Sequence, residues 1–213
     1  MTNSKLNRPV FLSVLLACFL TISAFPQKPD FTLTQSERWK PAFPQAFEKG
    51  LFKARLEIGT QKLSGMMFIK RTSDTAIRVV FTNEIGLTFF DLELTEQSMT
   101  VHGIFPAMDR KSFLKILEKD FQILLFKDRT ITKLVLKGVK KKEVRIYATH
   151  SGRGKALYFT DQDSHRLLRH KSAKSSFQRT EVKYTWGKQD IPSGIYLVNP
   201  TIRLHMYLSL LNE

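Results

Sequence analysis

Metal ligation and nucleophilic catalysis are the first chemistries to test against this chain, because both leave readable spacings. The five histidines stand at 102, 150, 165, 170 and 205, and no pair has the spacing of a zinc site. Asp161-Gln162-Asp163-Ser164-His165 begins like a calcium loop but lacks the later glycine and glutamate, so it is read as a turn. Ser151-Gly152-Arg153-Gly154-Lys155 has the composition of a phosphate-cradling loop without its spacing or a following helix, and reads as a hairpin turn. Ser193-Gly194 has no nucleophile-elbow motif around it, and the one cysteine, Cys18, lies in an apolar leader. The chain is therefore expected to be no enzyme, with no metal and no cofactor.

That leader sets the compartment. Lys5 and Arg8 precede an apolar run from Pro9 to Ala24 interrupted only by Ser13, Thr21 and Ser23, the pattern of an export signal over residues 1–24. A spanning helix wants roughly 20 apolar residues with suitable flanks, so a retained anchor is the lesser alternative. Leu15-Leu16-Ala17-Cys18 is similar to a bacterial lipobox, which would make Cys18 the lipidated first residue of the mature protein. Leu16 is bulky for that motif and the apolar run continues past Cys18, so cleavage after Ala24 stands beside it as an equal reading. Either way the protein works outside the cytoplasm, in a bacterial periplasm or at the outer membrane.

Without residues 1–24, 189 of the 213 residues remain, enough for one domain with a sizeable core. Only Lys5 and Arg8 are charged in that segment, so the net charge falls from +15 to +13. A single cysteine allows no internal disulfide, and stability must come from burial, to which 17 phenylalanines contribute. A basic surface suits anionic lipid headgroups or an acidic partner; export argues against nucleic acid.

The elements that must position any site are mostly strands. From Gly50 the pattern has period two: Phe52, Ala54, Leu56 and Ile58 alternate with Leu51, Lys53, Arg55 and Glu57. Further strands are expected over 63–71, 75–83, 87–94 and 97–105, an antiparallel meander with short links. One helix follows Pro106, with Asp109 as its expected N-cap and an apolar stripe through Phe113, Ile116, Leu117, Phe121, Leu124 and Leu125 that needs an apolar surface to lie on. Seven more strands are expected over 131–137, 143–149, 155–160, 165–171, 175–186, 191–198 and 201–211. Residues 25–49, with four prolines, read as a linker containing at most a short helix, and 50–213 as the folded domain.

Between residues 133 and 155 eight basic residues face Glu143 alone. Lys140, Lys141, Lys142, Arg145, Arg153 and Lys155 are the candidate membrane- or partner-facing basic residues, at about 1 kcal/mol each near an anionic bilayer. A solvated rim is the plain alternative.

The order of elements resembles the periplasmic lipoprotein-carrier superfamily of the chaperone LolA and the outer-membrane receptor LolB. Leu63-Ser64-Gly65-Met66-Met67-Phe68-Ile69-Lys70 is similar to the glycine, short strand and basic end of those proteins, and Asn83-Glu84-Ile85-Gly86-Leu87-Thr88-Phe89-Phe90-Asp91 to their glycine before an aromatic-acidic strand. Pro106 leading into Phe113–Phe126 matches the helix that follows. The resemblance implies a mainly β (α+β) fold, an incomplete antiparallel β-barrel of strongly curved sheet covered by an amphipathic helix, with an apolar interior for acyl chains. Candidate cavity residues are Phe52, Leu56, Val79, Phe81, Phe90, Leu92, Phe113, Leu117, Phe121, Leu204, Met206 and Leu208. It also implies a gate arginine or a membrane-inserting loop leucine, neither of which the motifs place on a numbered residue. The expected function is a monomeric, non-catalytic carrier or receptor whose partners are lipid acyl chains or lipoproteins, with an anionic membrane surface beside it. The alternative is a membrane-tethered structural or interaction lipoprotein with a packed core and a basic partner-binding face.

Overall fold

A computed structural model describes residues 39–126, 131–140, 143–150, 155–173 and 179–211. Twelve strands alternate direction along the chain: β1 Lys49–Ile58, β2 Gln61–Arg71, β3 Ile77–Thr82, β4 Thr88–Leu94, β5 Met99–Ile104, β6 Ile131–Lys140, β7 Glu143–His150, β8 Lys155–Asp161, β9 Leu167–Ala173, β10 Arg179–Trp186, β11 Pro192–Asn199 and β12 Leu204–Leu210. A 3-10 turn, Pro106–Met108, leads into the helix α1, Lys111–Leu125, between β5 and β6.

All twelve strands belong to one antiparallel sheet in the order β5-β4-β3-β2-β1-β12-β11-β10-β9-β8-β7-β6. The chain meanders from the middle to one edge, crosses with α1, and meanders back from the other edge until β12 pairs with β1. The order is linear, with β5 and β6 at its two edges, so the sheet is an incomplete barrel. Register shifts interrupt several pairs, at Phe81/Thr82, Asp91/Leu92 and Thr185/Trp186 among others, and such bulges bend a sheet.

Period-two alternation decides which face is buried. On β1 and β12 the partners Leu56↔Met206 and Ala54↔Leu208 both point inward, and on β3 and β4 so do Val79↔Leu92 and Phe81↔Phe90. The opposite face carries Lys53, Arg55, Arg78 and Tyr207. A bidentate ion pair fixes part of it: Arg78 Nε donates to Asp91 Oδ1 and Nη2 to Oδ2, each at 2.7 Å, and the pairing holds the Asp91 carboxyl below the usual range.

The helix lies on the buried face, with Leu117, Asp120, Phe121, Leu124 and Leu125 covered. Its N-cap is Arg110 rather than Asp109, and no side chain caps the first turn. Asp109 is instead taken up by the preceding turn, where its N–H donates to Pro106 O at 3.2 Å.

Residues 39–48 differ most from the sequence expectation. In place of a free linker they form a strap on the core, burying Trp39, Ala42, Phe43 and Phe47. Trp39 stacks on Tyr158 at 3.8 Å, and Phe43 meets Phe47 and Phe52 edge to face. Arg71 ties the strap down by donating from Nε to Phe47 O and from Nη2 to Pro44 O, each at 3.1 Å. The prolines limit helix formation but not burial, and the aromatic side chains decide where the segment goes.

Candidate functional site

The inner face of the sheet and the helix across it bring the twelve predicted cavity residues together. Eleven of them, all but Phe113, are buried in one continuous cluster from β1, β3, β4, α1 and β12. Contacts run between them across the layers; Phe121, for example, sits edge to face on Phe90 with centroids 5.9 Å apart. Phe113, half-buried, stands at the margin of that cluster.

Open volume is found at the two ends of α1. A cavity of about 400 Å³ lies at its start, lined by Ile58, Gly59, Thr60 and Gln61 of the β1–β2 turn, by Ala107 and Met108, by Arg110, Ser112 and Phe113, and by Ile202. A second, of about 470 Å³, lies at its end against the strap, where Pro41, Phe43, Leu125 and Phe126 meet Arg71, Asp74 and Glu96. Both volumes fall in the range of small-molecule sites.

Polar contacts between helix and sheet centre on Asp120, which is 1% exposed. Its Oδ1 accepts from Thr180 Oγ1 at 2.8 Å, and Asn199 Nδ2 donates to Oδ1 at 3.1 Å and to Oδ2 at 2.9 Å. Burial pushes this carboxyl up to about 6, against the hydrogen bonds from Asn199 and Thr180 and the charge of Lys119, which pull it down. At the far end of the helix Gln122 Nε2 donates to Thr95 O. Burial also lowers the Arg71 guanidinium, with Asp74 opposing.

The β3–β4 turn presents the most exposed large apolar residue among those described: Ile85 is 89% exposed, and Leu87 45%. The turn is built rather than loose. Asn83 Oδ1 accepts from the backbone N–H of Ile85 at 3.1 Å and of Leu87 at 2.8 Å, and Gly86 takes the left-handed φ of 85° between them.

Of the six predicted basic-face residues, Arg145 and Lys155 have described side chains. Lys155 is exposed at the start of β8, while Arg145 is half-buried on the outer face 5.9 Å from the ring centre of Phe159 and 3.7 Å from Glu143. Arg169 covers the same ring at 3.8 Å. Lys140 lies at the end of β6; Lys141, Lys142, Arg153 and Cys18 lie outside the described residues. The Asp161–His165 segment is a turn, with Asp161 Oδ1 accepting from Ser164 N and Ser164 Oγ, each at 2.7 Å. Among the described residues no group of three or more His, Cys, Asp or Glu could hold a metal ion, and no helix is long and apolar enough to cross a membrane.

Sequence reasoning passed over Asp120, Arg71, Ile85 and the strap. Signals existed for three of them. Asp120 is the acid inside the apolar stripe, three residues after Leu117; Ile85 is the apolar residue of a turn sequence; and Trp39, Phe43 and Phe47 recur every four residues. Arg71 had no such mark.

No protein-family model and no curated protein matches the chain. Solved structures do. A LolA superfamily protein from Nitrosomonas europaea aligns with a TM-score of 0.54 at 10% identity, over 80% of this chain and 86% of that one. A domain provisionally classed as an outer membrane lipoprotein-sorting protein, from Vibrio parahaemolyticus, aligns with a TM-score of 0.47 at 8% identity, over 77% and 83%. A DUF1329 family protein from Desulfovibrio piger gives 0.47 at 10% identity, over 78% and 84%. At such identities it is the fold that is shared, and the first alignment shows it: an incomplete barrel of the LolA type.

Proposed function

We propose that this LolA-type half-barrel is a non-catalytic, exported carrier or receptor that shelters acyl chains of lipids or lipoproteins between its sheet and helix α1. The observation that carries the reading is a continuous apolar interface, roofed by one helix, with a cavity at each end of that helix. Each methylene removed from water contributes about 0.8 kcal/mol, which is the driving force for a chain to enter such an interface. The test is displacement of a fluorescent fatty acid from the purified mature protein, with native mass spectrometry of the protein as isolated. Saturable uptake or a co-purifying lipid is expected; absence of both would overturn the reading.

The Ile85–Leu87 turn supplies the membrane contact that the family resemblance implies, an apolar tip held by Asn83. Inserting such a side chain contributes about 1.5–3 kcal/mol. The double substitution Ile85→Asp, Leu87→Asp should therefore weaken binding to vesicles about tenfold or more in a flotation assay, with the unfolding midpoint unchanged. Equal binding by the two proteins would remove the tip from the membrane-facing surface. Cys18 is the proposed lipid anchor. Intact mass of membrane-extracted protein separates a diacylated chain starting at Cys18 from a soluble one starting at Phe25.

One observation favours a second reading, that of a structural lipoprotein: eleven of the twelve candidate cavity residues pack against one another. Hydrogen exchange distinguishes the two. A carrier loses protection in α1 when a fatty acid is added, whereas a scaffold keeps it.

A further inference from the structure

We propose that the cavity at the start of α1 is an oxyanion site, taking the carboxylate or phosphate of an amphiphile whose chain continues beneath the helix. This rests on the acyl-shelter reading and adds the chemistry of the guest and its direction.

The two cavities are alike in size and opposite in charge. The one at the start of α1 has an apolar floor of Ile58, Met108, Phe113 and Ile202 and a rim of Thr60, Gln61, Ser112 and Arg110, with no carboxylate in its lining. Every rim side chain can donate a hydrogen bond, and Arg110 adds a guanidinium that suits a bidentate oxyanion. At the other end the lining includes Asp74 and Glu96. The one cation there, Arg71, already has Nε and Nη2 engaged by the carbonyls of Phe47 and Pro44. An anionic head placed beside Asp74 and Glu96 meets like charge; placed beside Arg110 it meets opposite charge.

The apolar floor sets the rest of the guest. Met108 is buried, while Ile58, Phe113 and Ile202 are partly buried and pack on the core cluster. Phe113 joins cavity and interior, because it lines the first and packs against the second. A ligand with only a head would leave that floor wet, and a chain without a head would leave Arg110 unused. The matched class is an acyl chain ending in an oxyanion, whether a free fatty acid or a phospholipid.

The experiment compares probes of one chain length on the full mature protein: palmitate, lysophosphatidate, hexadecanol and hexadecyltrimethylammonium, with inorganic phosphate alone as a further probe. Wild type should bind palmitate or lysophosphatidate at least tenfold more tightly than hexadecanol, and the ammonium amphiphile most weakly. Which of the two anionic probes binds better identifies the source of the head. Arg110→Glu should remove the anionic preference and leave hexadecanol unchanged, and Arg110→Gln should fall between. Asp190→Asn, an exposed charge outside both cavities, should change none of them.

Arg110 is exposed, so these variants retain the fold, which thermal unfolding verifies. Binding of all chains with equal affinity, or an unchanged preference in Arg110→Glu, overturns the proposal and leaves acyl shelter standing. Failure of every amphiphile to bind overturns both. Millimolar phosphate binding that hexadecanol does not affect would show an ion site separate from the chain path, which also overturns it.

Discussion

Gly65→Ala should be among the most destabilising single substitutions in this protein, about 3 kcal/mol or more, because the added methyl has nowhere to go. A Cβ built on Gly65 falls within 3 Å of three backbone atoms: Thr82 O, Thr82 C and Asn83 Cα. These atoms belong to the end of β3 and the start of its turn, so no side-chain rotation relieves the clash. Strand β2 must separate from β3, and the pairs Met66↔Thr82 and Met67↔Phe81 open with it. The demand is steric, and left-handed backbone plays no part in it. Gly103 provides the control, since the nearest atom to its Cβ is Asp91 Cβ at 3.8 Å. Gly103→Ala is expected to change stability by less than about 1 kcal/mol, because alanine relieves the entropic cost of strand glycine. Urea unfolding of the three proteins checks this, and comparable midpoints for Gly65→Ala and wild type would refute the close approach. Asn83 holds the Ile85 turn, so the proposed membrane contact carries a corollary: any folded Gly65→Ala should bind vesicles less well than Gly103→Ala.

Gly65 also shows what was legible before the structure. Its place in Leu63–Lys70 pointed to a family-like strand, yet the reason for a glycine there is a contact with a residue 17 positions away, invisible to local pattern. The strands themselves read well because alternation is strong wherever one face is buried: Phe52, Ala54, Leu56 on β1 and Leu204, Met206, Leu208 on β12 announce both element and face. The pairing of β1 with β12, which joins the two halves of the sheet, is written in no local pattern, because its partners lie about 150 residues apart. The strap was misread because prolines at 41 and 44 outweighed the aromatic residues between which they sit. The helix start shifted by one residue because Asp109 was engaged by the 3-10 turn before it. Eleven of the twelve candidate cavity residues share one buried cluster, but whether a face is filled or hollow depends on the distance between layers, which no strand pattern encodes.

Asp120 is the buried polar link between helix and sheet, and its removal should have the second large effect. Asp120→Ala leaves Asn199 Nδ2 and Thr180 Oγ1 buried without their acceptor, each worth about 1–3 kcal/mol, so a loss of about 3 kcal/mol is expected. Asp120→Asn keeps an acceptor oxygen and removes the charge, and its effect depends on pH with a definite sign. The carboxyl is raised from 3.8 to about 6 on folding, so the folded protein holds a proton that the unfolded chain has released. Its contribution to stability is full below about pH 4 and is lost as pH rises through 6, amounting to about 3 kcal/mol at most. Asp91 acts in the opposite direction, because pairing with Arg78 lowers its carboxyl and that contribution is lost on acidification. The informative quantity is therefore the difference between Asp120→Asn and wild type, measured by urea unfolding from pH 4 to pH 8. That difference should move toward the variant by about 2 kcal/mol or more as pH rises to 7; parallel profiles would refute an elevated Asp120. The same ionisation acts locally on the roof. Above pH 6 a charged carboxylate is held in an apolar interface by Thr180 and Asn199, and helix exposure restores its water, so α1 should exchange its amide hydrogens faster at pH 7 than at pH 5 once intrinsic rates are corrected. In Asp120→Asn that difference should vanish. Asp120, Thr180 and Asn199 thus tie the helix to the sheet by a polar contact whose strength falls as the carboxyl ionises.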